Sequence, residues 1–103
     1  MTTKRIQEVI HFINVFKGKH PLEIEDAFYN GNCYWFARIL QERFGGTICF
    51  NPYDVHFSVL IEDCLFDITG FANTKTVWYD WEDYQKMHDV SDIYSSCILK
   101  NND

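Results

Sequence analysis

The sequence predicts an α+β fold in which helices come first and a small, mostly antiparallel sheet follows, with a helix that begins at a cysteine packed on that sheet. Three observations carry this. Apolar residues recur at helical spacing through the first 44 positions, Gly45-Gly46 interrupts the pattern, and the runs beyond it are β-branched and alternating. Two of those runs are separated only by Glu62-Asp63, the length of a hairpin turn. Helices followed by hairpin-linked strands form a layered α+β arrangement in one domain spanning residues 1–103.

Ile6, Val9, Ile10, Ile13 and Phe16 repeat with the helical period, so an amphipathic helix runs from about residue 3 to residue 17 and stops at Gly18. Residues 19–32 contain Pro21 and Gly31 and read as irregular, with a short turn near residues 25–29. A second helix starts at Cys33 and ends near Phe44, before the two glycines. Residues 47–50 form a strand and Asn51-Pro52-Tyr53-Asp54 a turn. Residues 55–61 and 64–68 form a hairpin that Gly70 ends. Residues 76–79 suit a short strand, residues 81–88 a helical turn, and residues 93–99 a closing strand.

The composition is 47% hydrophobic and 17% aromatic, enough for one core without staples. A net charge of -6 lacks the basic stripe that phosphate neutralisation requires, which argues against nucleic acid and against anionic membrane surfaces. The first residues lead into an amphipathic pattern and not into an apolar leader. No apolar run approaches the roughly 18 residues of a membrane span. Cys33, Cys49, Cys64 and Cys97 are scattered without a CxxC pair, so reduced thiols and a cytoplasmic location are expected.

Cys33 is the most informative position. It follows Gly31-Asn32 at a helix start, where unpaired N–H groups and the helix dipole favour a thiolate. The apolar face of that helix is already supplied by Phe36, Ile39 and Leu40, which argues against a core role for the thiol. On the downstream strand, Val55, Phe57, Val59 and Ile61 share one face and His56, Ser58 and Leu60 the other. A two-residue turn at Glu62-Asp63 pairs Ile61 with Cys64 and sets Ser58 opposite Asp67. Asp67 then lies diagonal to His56 on the same face. A thiol, an imidazole and an orienting carboxylate in this order fit nucleophile–base–orienter chemistry.

The stretch Gly31-Asn32-Cys33 with Phe36-Ala37 and Leu40, then Gly45-Gly46, His56-Phe57-Ser58-Val59 and Phe66-Asp67-Ile68-Thr69-Gly70, resembles the core of the transglutaminase-like branch of the papain-like cysteine peptidase superfamily. It covers about forty residues. The resemblance implies a papain-like fold with Cys33 as nucleophile, His56 as general base and acid, and Asp67 as orienting group. An oxyanion hole would add a second donor to the Cys33 N–H, with Asn30, Asn32 and the Tyr29 hydroxyl as candidates. Trp35 beside the thiol either lines a substrate pocket or packs.

Two functions follow as expectations. One is an acyl-transfer enzyme of peptidase, amidase, deamidase or transglutaminase type acting on a protein or peptide, with no cofactor and no metal. The alternative is a small acidic non-catalytic binding or inhibitor protein encoded by a phage or mobile element. In it Cys33, His56 and Asp67 are fold remnants and the partner is a protein. His11, His20 and His88 read as surface residues, and Glu23, Glu25 and Asp26 as a solvated face. Trp78, Tyr79, Trp81 and Tyr84 read as a flap over one edge of the core, or else as a groove wall. The spacing of Cys33, Cys49, His56 and Cys64 lacks the tight pairs of structural zinc sites.

Overall fold

A computed structural model describes residues 4–29 and 32–93. Helix α1 spans Lys4–Lys17 and buries Ile6, Val9 and Ile13. The segment expected to be irregular is a second helix, α2, at Pro21–Tyr29. Proline reads as a breaker inside a helix, yet at the first helical position its missing N–H has no intrahelical role and its fixed φ suits the turn. Ile24 and Phe28, four residues apart, turn the same side of α2 onto the core. Lys17 bridges the two helices through Glu25 at 2.7 Å, so Glu25 is an ion-pair partner and not merely part of a solvated face.

Helix α3 occupies Cys33–Phe44, as its periodicity predicts. Strands β1 (Thr47–Asn51), β2 (His56–Ile61) and β3 (Cys64–Asp67) follow, then β4 (Gly70–Phe71) and β5 (Tyr79–Asp80). They form one five-stranded antiparallel sheet in the order β4-β3-β2-β1-β5. The hairpin register is the one that the turn length predicts: Ile61 faces Cys64 and Val59 faces Phe66. Glu62 and Asp63 take φ of 53° and 66°, the paired left-handed geometry of a two-residue turn whose twist matches the strands.

Val55 lies outside the strand with φ 50° and is exposed. As expected, the hairpin's second strand stops before Gly70. Gly70 starts β4, which folds back on β3 through Phe66–Phe71 and Asp67–Gly70 pairs. Tyr79 and Asp80 add β5 to the other edge, opposite Phe50 and Cys49. Helix α4 (Trp81–Met87) starts at Asp80, whose carboxylate accepts the Asp83 N–H, and α5 covers Ser91–Ile93. Ile93 is thus helical, and the rest of the expected closing strand lies outside the described residues, as does Asn30.

One face of the sheet carries Ile48, Phe50, Phe57, Val59, Ile61 and Phe66, which join Ile6, Val9, Ile13, Phe36 and Leu40 in the core. Trp81 is 5% exposed and packs edge-on to Phe57 at 4.8 Å between ring centroids, so it belongs to this core and is not a peripheral flap residue. The α+β class and antiparallel sheet follow the sequence expectation. Among the described residues no helix is long and apolar enough to cross a membrane.

Candidate functional site

The hairpin brings His56 and Asp67 together. With Val59 paired to Phe66, the ladder leads to Ser58 opposite Asp67, and His56 Nε2 lies 2.9 Å from Asp67 Oδ2. The imidazole N–H donates to the carboxylate. Oδ1 of Asp67 accepts from Thr69 N at 2.8 Å and from Thr69 Oγ1 at 2.5 Å, so the carboxylate also closes the turn into β4. His56 is 3% and Asp67 5% exposed. Tyr29, at the end of α2, stacks on the imidazole at 4.0 Å, and Trp78 tilts toward it at 6.1 Å. Among the described residues, Nδ1 of His56 and Oγ of Ser58 are buried without a hydrogen-bond partner.

Cys33 opens α3 and is 2% exposed. Cys33, Phe36, Ala37 and Leu40 are the buried residues of α3, at positions i, i+3, i+4 and i+7. The sequence predicts a buried face of Phe36, Ile39 and Leu40, but Ile39 is only half-buried and Cys33 is the first member of the stripe. Asn32 precedes the helix without capping it by its side chain. Its amide instead donates to the Ala27 carbonyl of α2 at 3.0 Å. Tyr29 remains 39% exposed. Its hydroxyl is held above the usual range by burial first, then by the charges of Asp67, Asp54 and Cys33. Trp35 is 40% exposed and meets Tyr34 edge-on at 5.2 Å.

A surface groove along α1 and the end of α3 and another beside Thr47 and Asp80 are both lined by residues other than Cys33, His56 and Asp67. No group of three or more metal-ligating side chains forms among the described residues. Asn51, expected only as a turn residue, is 1% exposed. Its amide donates to Asp54 and its carbonyl accepts from the Tyr53 and Asp54 N–H groups. This shapes the β1–β2 turn that places His56. An asparagine opening an Asn-Pro turn is the sequence signal for that role.

A small α+β protein with an antiparallel sheet and a buried His–Asp pair under a tyrosine is the class that these features define. Residues 12–97 match the family model described as Phage YunG-like protein, and the chain belongs to that family. No curated protein and no solved structure matches the chain. The family finding overturns the resemblance to transglutaminase-like and papain-like peptidases, and the hydrolase, thiol-protease and catalytic-triad reading falls with it. Each of these motifs has a folding explanation. The cysteine begins a core stripe, and His56 meets Asp67 because a two-residue hairpin sets that register.

Cys49 illustrates how burial alone tunes a thiol here. Burial, reinforced by Asp80, pushes it from 9.0 up to about 11. The protonated form is therefore the one that the fold favours. Its stabilisation is complete below about pH 9 and is lost as pH rises through about 11. At pH near 8.5, where an ordinary thiol is about half ionised, iodoacetamide is expected to modify half-buried Cys64 well before Cys49 in native protein. Equal rates by peptide mass mapping would contradict this ordering.

Proposed function

We propose that this protein is a small non-catalytic binding protein of its phage-associated family, acting on a protein partner as an inhibitor does, by occupying a surface. The observation that carries this reading is the burial of Cys33 at 2% exposure as the first residue of the α3 core stripe. A nucleophile must reach its substrate, and a structural cysteine must not. The bonding of Asp67 supports the same reading: its carboxylate holds His56 Nε2 and also closes the turn at Thr69, which gives the pair a structural role in the β2–β3–β4 end of the sheet. The acidic charge and exposed aromatics such as Tyr53 and Tyr79 suit an interface with a protein more than one with nucleic acid. Cytoplasmic residence is part of the proposal, in keeping with the thiol state of Cys33, Cys49 and Cys64.

Iodoacetamide labelling near pH 6, followed by peptide mass mapping, tests the non-catalytic assignment. At that pH an ordinary thiol is almost wholly protonated. Native Cys33 is expected to label no faster than Cys64, and His56→Ala is expected not to slow it. Fast, selective labelling of Cys33 that His56→Ala suppresses would overturn the reading.

A further inference from the structure

The cations of this acidic chain are unevenly placed. Among the described residues, Lys4, Arg5 and Arg43 line one groove between α1 and the C-terminal end of α3, and Glu8 is its only carboxylate. The groove has a volume of about 920 Å³. Its floor is aromatic: Phe12 and Phe44 meet edge-on at 5.7 Å. Arg43 lies over the Phe12 ring at 4.7 Å, and Arg5 lies over Phe44 at 5.8 Å while donating to the Phe44 carbonyl.

Among the described residues none of the three cations has a carboxylate partner, whereas Lys17 and Arg38 pair with Glu25 and Glu42. Guanidinium groups held on ring faces keep their outward N–H donors available, and the rings keep an apolar strip beneath them. A cationic rim on an apolar floor complements a ligand with an apolar stripe flanked by carboxylates. A single amphipathic helix presents that pattern at i, i+3 and i+4.

We propose that the groove between α1 and the end of α3 docks an acidic, apolar-faced helix of a protein partner. The proposal rests on the binding-protein reading above and names the surface through which it acts. Nucleic acid fits less well, because three cations on a chain of net charge -6 cannot offset the repulsion of a phosphate backbone. The aromatic floor would also be left without an apolar partner there.

A labelled synthetic helix of about 16 residues, roughly the length of α1, with leucines on one face and glutamates elsewhere, is the probe. The same peptide with lysine replacing glutamate is its control. Fluorescence anisotropy is expected to show the glutamate peptide binding at least about tenfold tighter than the lysine peptide, and weakening as salt rises. Arg43→Glu is expected to reduce that binding by about tenfold or more, and Lys86→Glu on α4 to leave it unchanged. Lys4→Glu, at the exposed start of α1, provides the same test should Arg43→Glu fail to melt cooperatively.

Equal binding of the two peptides overturns the proposal, as does an affinity indifferent to both groove variants. So does tighter Arg43-dependent binding to single-stranded DNA or to phosphatidylglycerol vesicles. Labelling of Cys33 reads the non-catalytic assignment at residues that the groove does not include. The two ideas can therefore fail separately.

Discussion

Gly46→Ala is expected to cost about 3–5 kcal/mol, combining backbone strain with overpacking. Gly46 has φ +99°, a conformation open to glycine and strained for any side chain. A Cβ there would collide with the Leu60 carbonyl oxygen and lie 2.9 Å from Ile61 Cγ1 and 3.1 Å from Val59 Cγ1. Those atoms belong to the central strand β2, and Val59 is fully buried, so the obstacle cannot swing away. Gly45→Ala is the matched control. Its φ is +80°, but the nearest atom to its Cβ is the end of the Arg5 side chain at 3.9 Å. Only backbone strain remains there, about 1–3 kcal/mol for a side chain at φ +80° and ψ -160°. Thermal melts should place the Gly46 variant at least about 12 °C below wild type, given about 4–8 °C per kcal/mol in a domain of this size. If both variants melt alike, the close approach of α3's exit to β2 is not what restricts position 46 to glycine.

How much of this architecture is legible in the sequence depends on how local its causes are. Helices α1 and α3 follow from apolar spacing within a few turns, and the β2–β3 register follows from the length of Glu62-Asp63. The His56–Asp67 contact was accessible for the same reason, because once Ile61 meets Cys64 its face is fixed. Helix α2 was hidden by Pro21, whose meaning reverses between helix interior and first turn. The burial of Cys33 is legible too, since 33, 36, 37 and 40 form a helical stripe, but a thiol at a helix start satisfies the pattern of a nucleophile equally well. What local pattern cannot give is which distant elements meet. The pairing of Phe50 with Tyr79, the insertion of Trp81 beneath Phe57, and the gathering of Lys4, Arg5 and Arg43 from two helices all depend on tertiary packing.

The buried pair yields the second large effect: Asp67→Ala is expected to destabilise the fold by about 2–4 kcal/mol, at about 1–3 kcal/mol for each buried polar group left without its partner. The loss has two parts. His56, 3% exposed and already carrying one unbonded nitrogen, would be left with no hydrogen bond at all. Thr69 would lose both bonds that hold the turn between β3 and β4. Asp67→Asn keeps the shape and an acceptor for Thr69, and its amide can donate to the other imidazole tautomer, so it should cost much less. The double variant His56→Leu, Asp67→Leu removes both buried polar groups together. It should therefore be less destabilised than the sum of its single variants, because replacing both partners with apolar groups leaves neither polar group stranded. Urea midpoints at neutral pH give the cycle. Strict additivity would mean that His56 and Asp67 are neighbours without energetic coupling. A coupled cycle with full retention of partner binding by Asp67→Asn would place the pair's role in holding the β2–β3–β4 end of the sheet, where Tyr29 closes over it.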